Sequence, residues 1–226
     1  MILQEKGIEA VMQVSCRDRN RLALQADLLA GYACGITNVM AVTGEDPSFG
    51  DHHQARSVYD IDLIGLLRVI TGLCKGKDMA GIELNGSPDF LVGSTVNAGS
   101  SSPELEAEEM KKKTEAGTEF FITPHLFDLS SIEPFLKRTD NQKAKIIPTV
   151  LLLKSVGMAR YMARNVDNVH IPDTLIRRIQ KAGDKVRECV RIASETISAL
   201  KQEKFGGVLI STIGWENKLP EILEKI

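Results

Sequence analysis

The densest chemistry in the sequence sits where a short apolar run stops. Asn38 to Thr43 (NVMAVT) reads as a buried strand, and Thr43-Gly44-Glu45-Asp46-Pro47 follows directly. Gly44 lets backbone N–H groups approach a ligand closely. Two adjacent carboxylates at a strand end can hydrogen-bond a heterocycle or a ribose; the other reading is a tight turn with solvated acids. Gly50-Asp51-His52-His53 continues the same loop. Adjacent histidines with no spacing to a third ligand read as solvated loop, so no metal is expected. His125, beside Pro124, lies just past another strand pattern and is a candidate site group, whereas His170 before Ile171-Pro172 reads as structural. Lys111-Lys112-Lys113 is either a solvated helix end or the source of a phosphate-binding lysine facing the loop Asn97-Ala98-Gly99-Ser100-Ser101.

The elements that must position these residues alternate. Strands are predicted at Ala10–Cys16, Asn38–Thr43, Phe90–Val96, Glu119–Thr123, Lys145–Val150 and Gly207–Ser211. Between them lie helical spacings: Leu22, Ala26, Leu29 and Ala33 on one face, then Leu63, Leu66, Leu67 and Ile70. Ser102-Pro103 is an N-cap followed by proline at the first helical position, and the helix runs from acids to lysines as its dipole favours. Ser130 to Glu133 suggests a capping box. Helices are also expected near Ser155–Arg164, from Pro172, over residues 184–204 and over Leu219–Ile226.

Near-continuous apolar strands separated by amphipathic helices mean a parallel sheet covered by helices. An open doubly wound sheet and a (β/α)8 barrel are the two arrangements. No GxGxxG follows a strand, which disfavours the dinucleotide-binding open sheet. The polar loops at strand C-termini sit where barrels place their sites. We therefore expect one α/β domain over residues 1–226, a TIM (β/α)8-type barrel with about six strand–helix units, hence incomplete.

The 226 residues are 43% apolar and 26% charged, with a net charge of −2, which excludes a disordered chain and argues against a general nucleic-acid binder. No stretch is long enough to span a membrane, and the first residues lack a signal-peptide core. Four scattered cysteines, Cys16, Cys34, Cys74 and Cys189, fit reduced thiols in a cytoplasm.

Several ordered motifs together resemble the methylenetetrahydrofolate reductase family. They are Cys16-Arg17-Asp18-Arg19-Asn20-Arg21 with Gln25-Ala26-Asp27-Leu28-Leu29, Thr43 to Ser48 with Gly50-Asp51-His52, and Tyr59-Asp60-Ile61-Asp62-Leu63. Val92-Gly93 through Asn97, Lys113-Thr114-Glu115-Ala116-Gly117, Leu153 to Arg160 and Gly214-Trp215-Glu216 continue the match, the last two resembling the branch found in acetogens and in fusions with homocysteine methyltransferase. The resemblance implies a barrel that binds FAD, oxidises NAD(P)H and reduces 5,10-methylenetetrahydrofolate to 5-methyltetrahydrofolate. It implies FAD contacts at Gln13, Thr43, Gly44, Glu45, Tyr59, Asp60, Asn97, Glu106, Lys112 and Lys113. Glu45, or Asp46 by a one-residue shift, would be the carboxylate near the flavin N1 side, and His125 and Met158 would face the folate.

Two departures stand out. Pro124 takes the place of the family's substrate-holding glutamine, and the family has two further strand–helix units ahead of residue 1, the first carrying an acid toward folate. The expectation is a truncated or fragmentary reductase whose open sheet edges are covered in a homo-oligomer or by a partner subunit. The alternative is a non-catalytic family member serving as a subunit of a one-carbon enzyme complex. Another pterin-binding barrel is a third option, which the histidine and cysteine pattern does not support.

Overall fold

The computed structural model describes residues 2–139, 143–203 and 205–226. Six parallel strands alternate with helices, and the strand order follows the chain: β1 (Val11–Ser15), β2 (Asn38–Val42), β3 (Leu91–Thr95), β4 (Phe120–His125), β5 (Lys145–Leu151) and β6 (Leu209–Ser211). The chain is thus an incomplete TIM-like α/β barrel. The helices are α1 (Ile2–Glu5), α2 (Arg21–Ala33), α3 (Leu63–Cys74), α4 (Pro103–Glu115), α5 (Glu133–Leu136), α6 (Val156–Asn165), α7 (Asp173–Lys181), α8 (Lys185–Gln202) and α9 (Leu219–Leu223). The 204 end expected for the long helix lies outside the described residues.

Two compact units carry these elements: Met1–Thr95 with Met110–Phe120, and Val96–Glu109 with Phe121–Ile226. In the first, Val11 to Ser15 pair with Asn38 to Val42, and Asn38 to Met40 pair with Leu91 to Gly93. Strand alternation then sorts the side chains. Val14, Val39, Ala41 and Val92 turn to a core filled by Leu24 and Leu28 of α2 and by Leu66, Leu67, Ile70 and Leu73 of α3. Each buried leucine stabilises the unit by about 1.5–3 kcal/mol. The opposite sheet face is exposed at its N-terminal end, where Val11 is 51% and Leu91 46% exposed, and is covered by Phe120 at Gly93. Capping fixes where the helices begin. Asn20 accepts from the Ala23 N–H at 3.0 Å, and Asp62 from the Gly65 N–H at 2.7 Å.

In the second unit, Thr149 to Leu151 pair with Leu209 to Ser211. Its core joins Leu151 and Leu153 to Ala159 and Met162 of α6, Ile176 and Ile179 of α7, and Cys189 and Ile192 of α8. Ser155 caps α6 and Asp184 caps α8.

Three expectations need correction. β4 does not stop at Thr123 but runs through Pro124 to His125. Pro124 brings no N–H to a ladder, and its neighbour ties β4 to β5 by side-chain bonds instead: Thr149 Oγ1 donates to the Thr123 carbonyl at 2.6 Å, and the Thr149 N–H to Thr123 Oγ1 at 3.2 Å. The turn after β4 is capped by Asp128, which accepts from the Ser130 N–H at 3.0 Å, and not by a box opened at Ser130. The closing helix ends at Leu223 after a 3-10 turn at Glu216–Lys218.

Candidate functional site

In the first unit the candidate residues gather at the C-terminal ends of β1, β2 and β3. β2 ends at Val42, and the chain reverses at Gly44, whose φ of +84° is a left-handed conformation suited to glycine. A Cβ there would collide with Ser15 Oγ and lie 2.8 Å from Arg17 Cβ. The loop therefore lies flat against the end of β1. Ser15 Oγ donates to the Thr43 carbonyl at 3.3 Å, and Arg17 Nη1 to the Glu45 carbonyl at 3.2 Å. Tyr59, itself left-handed with φ +41°, returns from the far side of the loop, and its hydroxyl donates to the Gly44 carbonyl at 2.9 Å. Thr43, Glu45 and Gln13 are exposed around this contact, Gln13 on the open face of the sheet opposite Met40.

The neighbouring acids have local partners. Asp46 accepts from the Ser48 N–H at 2.8 Å, capping a 3-10 turn at Pro47–Phe49, and hydrogen bonding from Ser48 lowers its pKa. Asp60 takes the Arg21 guanidinium through both oxygens, at 2.8 and 3.0 Å, and the Arg21 N–H at 2.9 Å. This bidentate pairing holds the Asp60 carboxyl below the usual range. Lys113 Nζ donates to the Thr95 carbonyl at 2.8 Å, which places its ammonium at the end of β3; Lys112 is exposed one residue earlier. Gly44, Tyr59 and Lys113 thus all sit at the C-terminal ends of neighbouring strands.

In the second unit Glu106 reaches back from α4 and accepts from the Asn97 N–H at 2.6 Å. Asn97 Nδ2 donates to Asn168 Oδ1 at 2.7 Å, while Asn97 Oδ1 is buried with no hydrogen-bond partner. Nearby, a cavity of about 170 Å³ is lined by Thr123, Pro124, His125, Ser131, Asn168 and His170 among others. His125 closes β4 and is half-buried; burial pushes its pKa down, so the imidazole is neutral at pH 7. Met158 lies in the first turn of α6, packed against the second core.

His52 and His53 are exposed, and His53 Nδ1 donates to the Ser48 carbonyl at 2.8 Å. Among the described residues no group of His, Cys, Asp and Glu could hold a metal ion. No described helix is long and apolar enough to cross a membrane.

Sequence reasoning missed the Arg21–Asp60 pair and the Tyr59–Gly44 contact. Both join residues separated by a loop, and no local pattern announces them.

Among curated proteins, the chain is 25% identical to methylenetetrahydrofolate reductase 2 of Schizosaccharomyces pombe over 188 residues, covering 80% of this chain and 29% of that protein. It is 25% identical to the 5,10-methylenetetrahydrofolate reductase of Salmonella typhimurium over 173 residues, covering 76% of this chain and 53% of that protein. The Pectobacterium carotovorum enzyme of the same name is 24% identical over 176 residues, covering 76% and 53%. The chain therefore spans about half the length of these bacterial relatives and less of the yeast one. The family profile described as methylenetetrahydrofolate reductase matches residues 1–226, and the chain belongs to the methylenetetrahydrofolate reductase family.

Proposed function

We propose that this chain serves flavin-dependent reduction of 5,10-methylenetetrahydrofolate to 5-methyltetrahydrofolate, with FAD as cofactor and NAD(P)H as electron source. The carrying observation is the Tyr59–Gly44 contact at the ends of β1 and β2. It ties the Tyr59 turn to a loop packed so closely on β1 that Gly44 leaves no room for a side chain. The exposed Thr43 and Glu45 of that loop offer polar groups that a flat ring or a ribose can hydrogen-bond, and the buried, unpartnered Asn97 Oδ1 of the second unit fits a ligand donor.

In this reading Thr43, Gly44 and Glu45 line the cofactor site, with Gln13 on the adjoining strand. Tyr59 holds the loop. Lys112 and Lys113 supply positive charge for a diphosphate. Bound FAD would supply acceptance of a hydride from the nicotinamide and its delivery to folate. Glu45 places a carboxylate on the exposed loop after β2, where its charge disfavours a second negative charge on a neighbouring ring. Asp46 and Asp60 act one step back, the first shaping the loop and the second anchoring Arg21. Neutral His125, at the mouth of the second unit's cavity, can donate to or accept from a pterin edge without bringing charge.

Purified protein should take up FAD and show a flavin spectrum that NADH or NADPH bleaches. Protein that stays colourless after incubation with FAD would overturn the reading.

A second reading is favoured by Pro124, which offers no side-chain amide at the end of β4. It is a non-catalytic subunit of a one-carbon enzyme complex. Stable co-purification with a partner, without oxidation of methyltetrahydrofolate, distinguishes it.

A further inference from the structure

Arginine in the second unit is treated in two ways. On one side of α7, Arg178 meets Glu188 at 2.5 Å and Glu195 at 2.7 Å. Arg191 of α8 joins the same acids at 3.1 and 3.4 Å. These guanidiniums are neutralised by carboxylates built into α8. The other side differs. Arg160 and Arg164 stand one turn apart on α6, and Arg177 faces them from α7. Among the described residues none of the three has an ion-pair partner, and all three are exposed; Arg160 donates only to the neutral Gln180, at 2.8 Å.

Together they line a groove of about 440 Å³, within the ~300–1,000 Å³ range of small-molecule sites. His170 also lines it. One carboxylate, Asp173, shares the lining, so the guanidiniums outnumber it three to one. The first turn of α7 adds to the field: Pro172 stands at its N-cap without a side-chain hydrogen bond, leaving N–H groups uncapped at the groove's edge. The fork of donors on each guanidinium matches phosphate and carboxylate oxygens.

We propose that the groove between α6 and α7 binds a small polyanion, a molecule with at least two phosphate or carboxylate groups. The groove shares no residue with the loop at Gly44, and the proposal does not depend on the flavin reading.

The test is isothermal titration of the full chain at low salt with two probes, inorganic pyrophosphate and triglutamate. The two arms distinguish a phosphorylated ligand from a polycarboxylate. At least one should bind with a Kd on the order of 100 µM or tighter. The double variant R164Q/R177Q, changed only at exposed positions, should weaken that binding by roughly tenfold or more. K185Q removes one positive charge elsewhere in the unit, at an exposed position outside both the groove and the Arg178 clamp, and should leave binding within about twofold. Failure of both probes to bind, equal binding by the double variant, or an equal loss in K185Q would each overturn the proposal.

Discussion

The Tyr59 hydroxyl donates to the Gly44 carbonyl at 2.9 Å, joining two left-handed residues across a fourteen-residue excursion of the chain. The contact pins the loop after β2 to the turn at Tyr59. Y59F keeps the ring and removes the bond. FAD affinity, followed by flavin fluorescence quenching, should fall about threefold to tenfold while the urea midpoint barely moves. An unchanged affinity would reduce the contact to loop structure alone.

Gly44→Ala tests the packing of the loop against β1. The methyl must enter a left-handed conformation and displace Ser15 and Arg17. Stability should drop by about 1–3 kcal/mol, seen as a lower urea midpoint at unchanged slope.

Gly93→Ala probes a different packing limit. Phe120 lays its ring over Gly93, and an added Cβ would collide with that ring. A loss of about 1–3 kcal/mol is expected from overpacking. The double change G93A/F120L should recover part of it, which a two-by-two set of denaturation curves would measure.

His125 sets a pH dependence. Its folded pKa lies below the ordinary 6.5 because burial disfavours the imidazolium. As pH falls through 6.5, the unfolded chain takes up a proton that the folded chain refuses, so the unfolded state gains. Stability should therefore decline from pH 8 toward pH 5 and level off below the folded value. H125Q should flatten the part of the decline that His125 contributes. A wild-type slope that survives the substitution intact would assign it to other groups.

Thiol reactivity should rank by exposure. Cys34 is exposed, whereas Cys16 and Cys189 are buried, with burial pushing the Cys189 thiol up to about 11. An aromatic disulfide reagent should modify Cys34 quickly in the native protein and reach Cys16 and Cys189 only on unfolding.

The strands were legible because parallel sheets demand apolar runs, and Asn38–Val42 falls within a residue of its expected end. Helix starts at Ser155 and Asp184 were legible through capping chemistry, which is local. β4 runs past its expected end because the Thr123–Thr149 hydroxyl bonds, with the Leu126 N–H donating to the Thr149 carbonyl at 2.7 Å, hold it to β5 where Pro124 has no N–H to give. Gly44 was visible as a point of close approach and Tyr59 through the motif it opens, while the bond between them, across a loop, was not. The groove between α6 and α7 has a local sign in the sequence: Arg160 and Arg164 share a helix face, and Arg177 follows Asp173 by four residues.

The acids behind α7 also bear on that groove. With Arg178 gripped by two glutamates of α8, the helix is held like a rail from its far side. A guest arriving between α6 and α7 would find its donors already in place, and little backbone freedom would vanish on its arrival. Loosening Glu188 should therefore slacken the groove's hold without touching a single residue that lines it.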